Sequence, residues 1–170
     1  MKFALAAPAH EPQLRYLARK QAMPGWIRLA YAREPHWSAG QNVLGHVHQT
    51  IVATDDSDSV VGCGVRAVRR AFVNGCETEI GYLCGLRSLP EARRSTGLAR
   101  GYRFLRRLHE TDRRVPAYLT AIVEDNAVAM ALLASGRAGL PAYLDQGRFI
   151  ASAIPLGRRH PAPYRLPANA

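Results

Sequence analysis

Arg93-Arg94-Ser95-Thr96-Gly97-Leu98-Ala99-Arg100-Gly101 follows a strand-like segment and opens a helix-like one. A glycine-containing turn at a helix start leaves several backbone N–H groups without intrahelical partners, pointing outward at the positive end of the helix dipole. Such a turn is a seat for phosphate. The flanking arginines add charge, and the small residues Gly97 and Ala99 let a pyrophosphate approach the main chain closely. By itself a Gly-x-Ala turn is equally compatible with an ordinary structural turn, so the surrounding chain has to decide.

A second block lies downstream. Ile122-Val123-Glu124-Asp125-Asn126-Ala127-Val128-Ala129-Met130-Ala131-Leu132-Leu133-Ala134-Ser135-Gly136 reads as the end of an apolar strand, an asparagine-headed helix and its terminating glycine. With the spacing Arg94-x-x-Gly97-x-Ala99 after a strand and before a helix, the two blocks resemble the GCN5-related N-acetyltransferase (GNAT) superfamily. That family writes its acyl-CoA pyrophosphate loop as Arg/Gln-x-x-Gly-x-Gly/Ala, and the order and separation of both blocks fit it. The resemblance covers most of residues 1–155, leaving 156–170 as a Pro/Arg-rich tail or a linker to a second domain. It implies a mixed α/β fold: a twisted mixed sheet with a splayed parallel strand pair and helices on both faces. It also implies acetyl-CoA as cofactor and an amine acceptor, on a small molecule or a protein, with a homodimer compatible.

Composition sets the frame. A chain of 170 residues with 48% hydrophobic content is enough for one globular domain with a sizeable core. No apolar run approaches the ~20 residues that cross a bilayer. The start MKFALAAPAHEPQ turns polar too soon for a signal peptide, so the expectation is a cytoplasmic protein with no membrane partner. Cys63, Cys76 and Cys84 are odd in number and lack Cys-x-x-Cys spacing, which indicates neither a disulfide framework nor a zinc site. The formal net charge of +10 is carried almost wholly by arginine, Lys2 and Lys20 being the lysines. Arginine's rigid donor fork suits an anionic cofactor, an acidic substrate or nucleic acid, and an arginine-rich, lysine-poor chain also follows from genome base composition.

Periodicity predicts a strand at Phe3 to Ala7 and a helix at Glu11 to Gln21 with Leu14, Leu17 and Ala18 on one face. A second helical piece runs from Pro24 through Tyr31, and Arg33 to Gly45 reads as a loop. By resemblance this region lines the acceptor pocket, which makes Trp26, Tyr31, His36 and Trp37 substrate-side candidates; the alternative is that these aromatics cap the core. Strands follow at His46 to Ala53 and Val60 to Val73, and Asn74-Gly75 is a hairpin signature joining the latter to a strand from Glu77 to Leu86 or Leu89. A helix from Leu98 to Glu110, an apolar strand at Ala117 to Val123 and a largely buried helix at Asn126 to Ser135 come next. Ala142 to Asp145 and Arg148 to Ile154 can close the sheet as a strand pair. His46-x-His48 has no acidic or cysteine partner nearby to complete a metal site.

An acyl-CoA-dependent transferase needs a grip on the cofactor, polarisation of the thioester carbonyl and proton management. The loop Arg94, Ser95, Thr96, Gly97, Leu98 and Ala99 supplies the grip. The resemblance places pantetheine along Leu86, Arg87, Ser88 and Leu89, hydrogen-bonded like an added strand, and Asn126 on the cofactor side. Backbone N–H groups can polarise the carbonyl without any special side chain. Many family members carry a general-acid tyrosine seven residues after the helix-leading asparagine; counting from Asn126 reaches Leu133, which cannot donate a proton. Tyr82, Tyr143, Cys84 or water would have to substitute. Glu79 is the candidate base, equally readable as a solvated carboxylate paired with an arginine, and Tyr82 divides likewise between functional hydroxyl and core.

The leading expectation is therefore acetyl transfer from acetyl-CoA to a primary amine by direct attack. A non-catalytic acyl-CoA-binding module of the same fold is the alternative, motivated by Leu133 and the linker-like tail. A basic surface for nucleic acid or an acidic protein is a third, though no aromatic-interleaved basic motif or recognition helix supports it. Serine-elbow, P-loop and His-Glu-x-x-His motifs are missing from the sequence.

Overall fold

Apolar residues alternating from Val60 to Val73 fold as a single fourteen-residue strand, β3, the spine of the sheet. The computed structural model describes residues 1–22, 33–93, 96–113 and 115–151. Asn74 and Gly75 both take positive φ, 51° and 79°, the mirror-image two-residue turn whose twist matches the flanking strands. It sets Val73 opposite Cys76 and fixes the register of β4 (Cys76–Ser88). On its other edge β3 pairs with β2 (Val47–Thr54), which pairs with β1 (Lys2–Leu5), all antiparallel. The fifth strand, β5 (Tyr118–Leu119), lies parallel to β4, giving the order β1-β2-β3-β4-β5. This is the mixed sheet with a parallel pair that the sequence suggests. Among the described residues the expected strand over Ala117 to Val123 pairs only at Tyr118 and Leu119, with an added bond of 3.0 Å from the Gly81 N–H to the Ala117 carbonyl.

Helices cover both faces. α1 (Glu11–Lys20) turns Leu14, Leu17 and Ala18 onto Val52, Val60, Cys63 and Val65, the main core. Trp37 belongs to this core: it is buried, its indole N–H donates to Thr50 Oγ1 at 3.0 Å, and its backbone N–H donates to the Glu11 carboxylate. Of the loop aromatics, Trp37 thus takes the core reading and loses the substrate-side one, whereas His36 is exposed. α2 (Gly97–Thr111) covers the opposite face, where Gly101 meets Phe3 so closely that an added Cβ would sit 3.2 Å from the ring.

Two expectations at the C-terminal end are corrected. The helix predicted to be largely buried is α3 (Ala127–Leu133), in which Leu133 alone is buried while Val128 and Met130 are exposed. Among the described residues no strand forms over 142–151, and Leu144, Phe149 and Ile150 stand in solvent. The two share a cause: with no closing strand beside it among the described residues, an alanine-rich helix has no apolar layer there to pack against. The helical piece from Pro24 to Tyr31, with Trp26 and Tyr31, and the tail 156–170 lie outside the described residues.

On the α2 face β3 carries Arg66, a charged side chain with no solvent exposure. Its Nε donates to Tyr118 Oη at 2.8 Å, Nη1 to Gln49 Oε1 at 2.5 Å and Asp112 Oδ2 at 3.1 Å, and Nη2 to the Arg113 carbonyl at 2.6 Å. Gln49 Nε2 closes the ring by donating to Asp112 at 3.0 Å. The guanidinium therefore ties β2 and β3 to the C-terminal end of α2, where a cation also meets the negative end of the helix dipole, and to the start of β5. Arg66→Met strands the acceptors in this network, and urea unfolding is expected to show a loss of about 3 kcal/mol. Asp112→Asn, at a partly exposed site, should cost only about 1 kcal/mol by the same measurement.

Candidate active site

The decisive local feature is one extra residue in β4. Cys63 faces Arg87 while Val65 faces Cys84, so two steps along β3 correspond to three along β4. The bulge is made by Gly85 at φ +64°, a conformation that costs a side-chain-bearing residue on the order of 1 kcal/mol. Its carbonyl accepts the Cys63 thiol at 3.7 Å. Burial pushes that thiol up to about 12, against the lowering charges of Arg87 and Arg33. A bulge bends its strand and re-aims main-chain groups. Here it coincides with the parting of the parallel pair: the β4–β5 ladder ends at Tyr82↔Leu119, while β4 runs on to Ser88.

β4 then delivers the chain to the phosphate-type turn. The Leu89 N–H still bonds to the Val61 carbonyl at 2.8 Å, and the Leu89 side chain packs on the core. Leu86, by contrast, is exposed beside the gap. Arg87 donates to the Leu86 carbonyl at 2.8 Å, and Arg93 reaches the Ser88 carbonyl at 3.1 Å and Gln21 Oε1 at 2.7 Å. Pro90 to Ala92 form a short 3-10 turn that absorbs the additional residues between strand and loop. Arg94 and Ser95 lie outside the described residues. Thr96 is the N-cap of α2 and makes no side-chain cap bond. The N–H groups of Leu98 and Ala99 fall in the first turn, which has no intrahelical acceptors. Gly97 is buried at N1, and Gly139 crosses so near Ala99 that a Cβ on it would sit 3.0 Å from the Ala99 Cβ.

The proton-handling candidates divide by face and position. Tyr82 and Cys84 share the α1 face of β4 just before the bulge, and both are half-buried. Burial raises the Cys84 thiol, opposed by Arg33 and Arg87. Glu79 sits on the other face, on the far side of the β4–β5 ladder from Gly85. Its Oε1 receives Arg113 Nη1 at 2.8 Å and lies 2.9 Å from His46 Nε2. Partial desolvation pushes the Glu79 carboxyl up, but Arg113 and His46 outweigh it and the net shift is downward. Tyr143 hydrogen-bonds to Tyr102 at 2.8 Å, and burial with that contact drives Tyr102 well above the ordinary phenol range. Asn126 Oδ1 accepts from the Ala129 N–H at 3.2 Å as the N-cap of α3, and Leu133 is buried. Sequence reasoning missed the bulge, for which a lone glycine inside a strand was the available signal.

Among the described residues no three potential ligands gather for a metal, and no helix is long and apolar enough to cross a membrane. No protein-family model matches the chain, and no curated protein matches it by sequence. Solved structures do match in shape. The aminoglycoside N-acetyltransferase AAC(6')-Iy in complex with CoA superposes with a TM-score of 0.65 at 15% identity, covering 91% of this chain and all (100%) of that one. The same enzyme with the bisubstrate analogue CoA-S-monomethyl-acetylneamine gives 0.59 at 19% identity over 87% and 98% of the two chains. The 6'-N-acetyltransferase AAC(6')-Ih from Acinetobacter baumannii gives 0.61 at 16% identity over 92% and 99%. A bulged β4 that parts from a parallel β5 and leads through a short turn into α2 is the fold that this chain shares with these N-acetyltransferase structures.

Proposed function

We propose that this chain transfers an acetyl, or another short acyl, group from CoA to a primary amine on a small molecule. The observation that carries the proposal is the continuity of the bulge at Gly85, the β4–β5 gap and the start of α2. Pantetheine enters the gap as an added strand along Leu86 to Leu89, and its pyrophosphate meets the N–H groups of the Thr96 to Ala99 turn. To main-chain N–H at the bulge we assign stabilisation of the oxyanion as the thioester carbonyl becomes tetrahedral. The amine attacks that carbon, the carbon–sulfur bond breaks, and CoA leaves as thiolate. A thiol of ordinary pKa near 8.5 needs little help to do so, which is consistent with Leu133 standing where an acid would be. Tyr82 is the residue we assign to proton relay: its phenol oxygen accepts a proton from the attacking ammonium as its own hydroxyl proton passes to solvent. Glu79, held by Arg113 and His46, serves as an anchor for the end of the sheet. The buried Leu133 also favours a second reading, a CoA-binding module without turnover.

Gly97→Val places a branched side chain in the phosphate turn and is expected to weaken CoA binding at least about tenfold in calorimetry with the fold retained. Unchanged affinity would remove the turn from the site. Tyr82→Phe should depress kcat/KM with a responsive amine by on the order of 100-fold at neutral pH, and least at alkaline pH, where the amine is already free. Tight CoA binding with no turnover on any amine would select the non-catalytic module. Glu79→Gln probes the anchor: because the folded-state pKa is lowered, its stabilisation is present above the ordinary value of 4.5 and disappears as pH falls through the folded value. The variant's melting temperature should thus lie below the parent's at neutral pH and converge with it on acidification below that value.

A further inference from the structure

The charges around the acceptor side of the gap are lopsided. Tyr82 faces Ala67 across the β3–β4 ladder and Arg69 faces Ile80, so Arg69 and Tyr82 are diagonal neighbours on one face. The Arg69 guanidinium stands 5.9 Å from the Tyr82 ring centroid. Its neighbours have carboxylate partners: Arg70 meets Glu77 at 3.5 Å and Arg113 meets Glu79 at 2.8 Å. Arg69 is exposed and makes no ion pair among the described residues. The same holds for half-buried Arg33, whose guanidinium lies 5.0 Å from the Trp37 ring centroid. The charges that act on Cys84, the residue before the bulge glycine, are those of Arg33 and Arg87, both cationic.

Arg69 also reaches a second feature. The β2–β3 ladder ends at Val47↔Val68, so β3 continues past its neighbour, and Arg69 and Arg70 border an open groove of about 630 Å³ with Asn42, Val43, Gly45 and His46. A positive track therefore runs from the groove past Tyr82 to Gly85. Tyr82 and Gly85 are three residues apart along β4, at most about 10 Å by the extended rise.

We infer that the amine acceptor carries an anionic group, a carboxylate or phosphate within about 10 Å of the reacting nitrogen, seated by Arg69. This rests on the transferase reading above and names its substrate class. It sets the chain apart from the aminoglycoside enzymes it resembles in shape: a polycationic acceptor would place positive charge against Arg69 and Arg33. An anion gains a charge-assisted bond to a guanidinium that has no protein carboxylate to give up.

Triglycine, whose extended chain spans about 10 Å from amine to carboxylate, and its C-terminal amide form a matched pair of probes. Neamine serves as the polycation. Titration of the full chain saturated with CoA should show triglycine binding about tenfold or more tighter than the amide. Neamine should bind most weakly, and the carboxylate preference should shrink at high salt. Arg69→Gln, at an exposed site, should erase the preference while leaving CoA affinity at the parental value. Equal affinity for acid and amide, tighter binding of neamine, or a preference that survives Arg69→Gln would overturn the anionic acceptor and leave the transferase reading standing. Failure of the parent to bind CoA would overturn both.

Discussion

A guanidinium with no access to water is tolerable only if nearly every donor has an acceptor, and the satisfaction of Arg66 organises the rest of this molecule. Its acceptors come from β2, from the end of α2, from the chain just after α2 and from Tyr118. None of these contacts is local. Together they fix where α2 must finish and where β5 must begin. The ring of Tyr118 lies against Gly81, where a Cβ would sit 2.2 Å from Cδ1, so the glycine is what lets the parallel pair approach. Placement of the buried cation and placement of β5 are one requirement.

With β5 anchored at its start and β4 bent at Gly85, the strands can only part. The gap therefore follows from two separate demands, polar satisfaction beneath the sheet and one surplus residue within it. The same β4 leads through the short 3-10 turn toward α2, which couples the gap to the helix start. A cofactor that spanned both, as proposed above, would be read by main chain, with side-chain identity mattering chiefly for size, as at Gly97, and for charge.

Legibility in the sequence tracks how local the determinants are. β3, the Asn74-Gly75 turn and α2 were readable because alternation, a positive-φ dipeptide and a 3.6-residue apolar stripe each act within a few residues. Arg66 was not: between Val65 and Ala67 it reads as a solvent-facing strand position, and only partners far along the chain make burial tolerable. Strand patterns near 142–154 have local alternation but no described partner, and β5 shortens because β4 turns away. In the site, the phosphate turn was legible as a motif. Glu79 was legible as a carboxylate on a strand, but its pairing with Arg113 and His46 was not. Arg69 gave no sequence signal, since its meaning lies in the partner it lacks and in a ring on the adjacent strand.

The attachment of β5 has a dynamic consequence. Among the described residues two register pairs, the Gly81–Ala117 bond and one phenol hold it, whereas β3 and β4 are joined along nearly their whole length. Free energies of local opening scale with such contacts, so β5 belongs to the least protected part of the sheet and the four antiparallel strands to the most protected. The seam can then widen and close as a sub-global fluctuation while the antiparallel scaffold stays intact, and any ligand that lies along β4 supplies ladder bonds at the place where the molecule has fewest of its own.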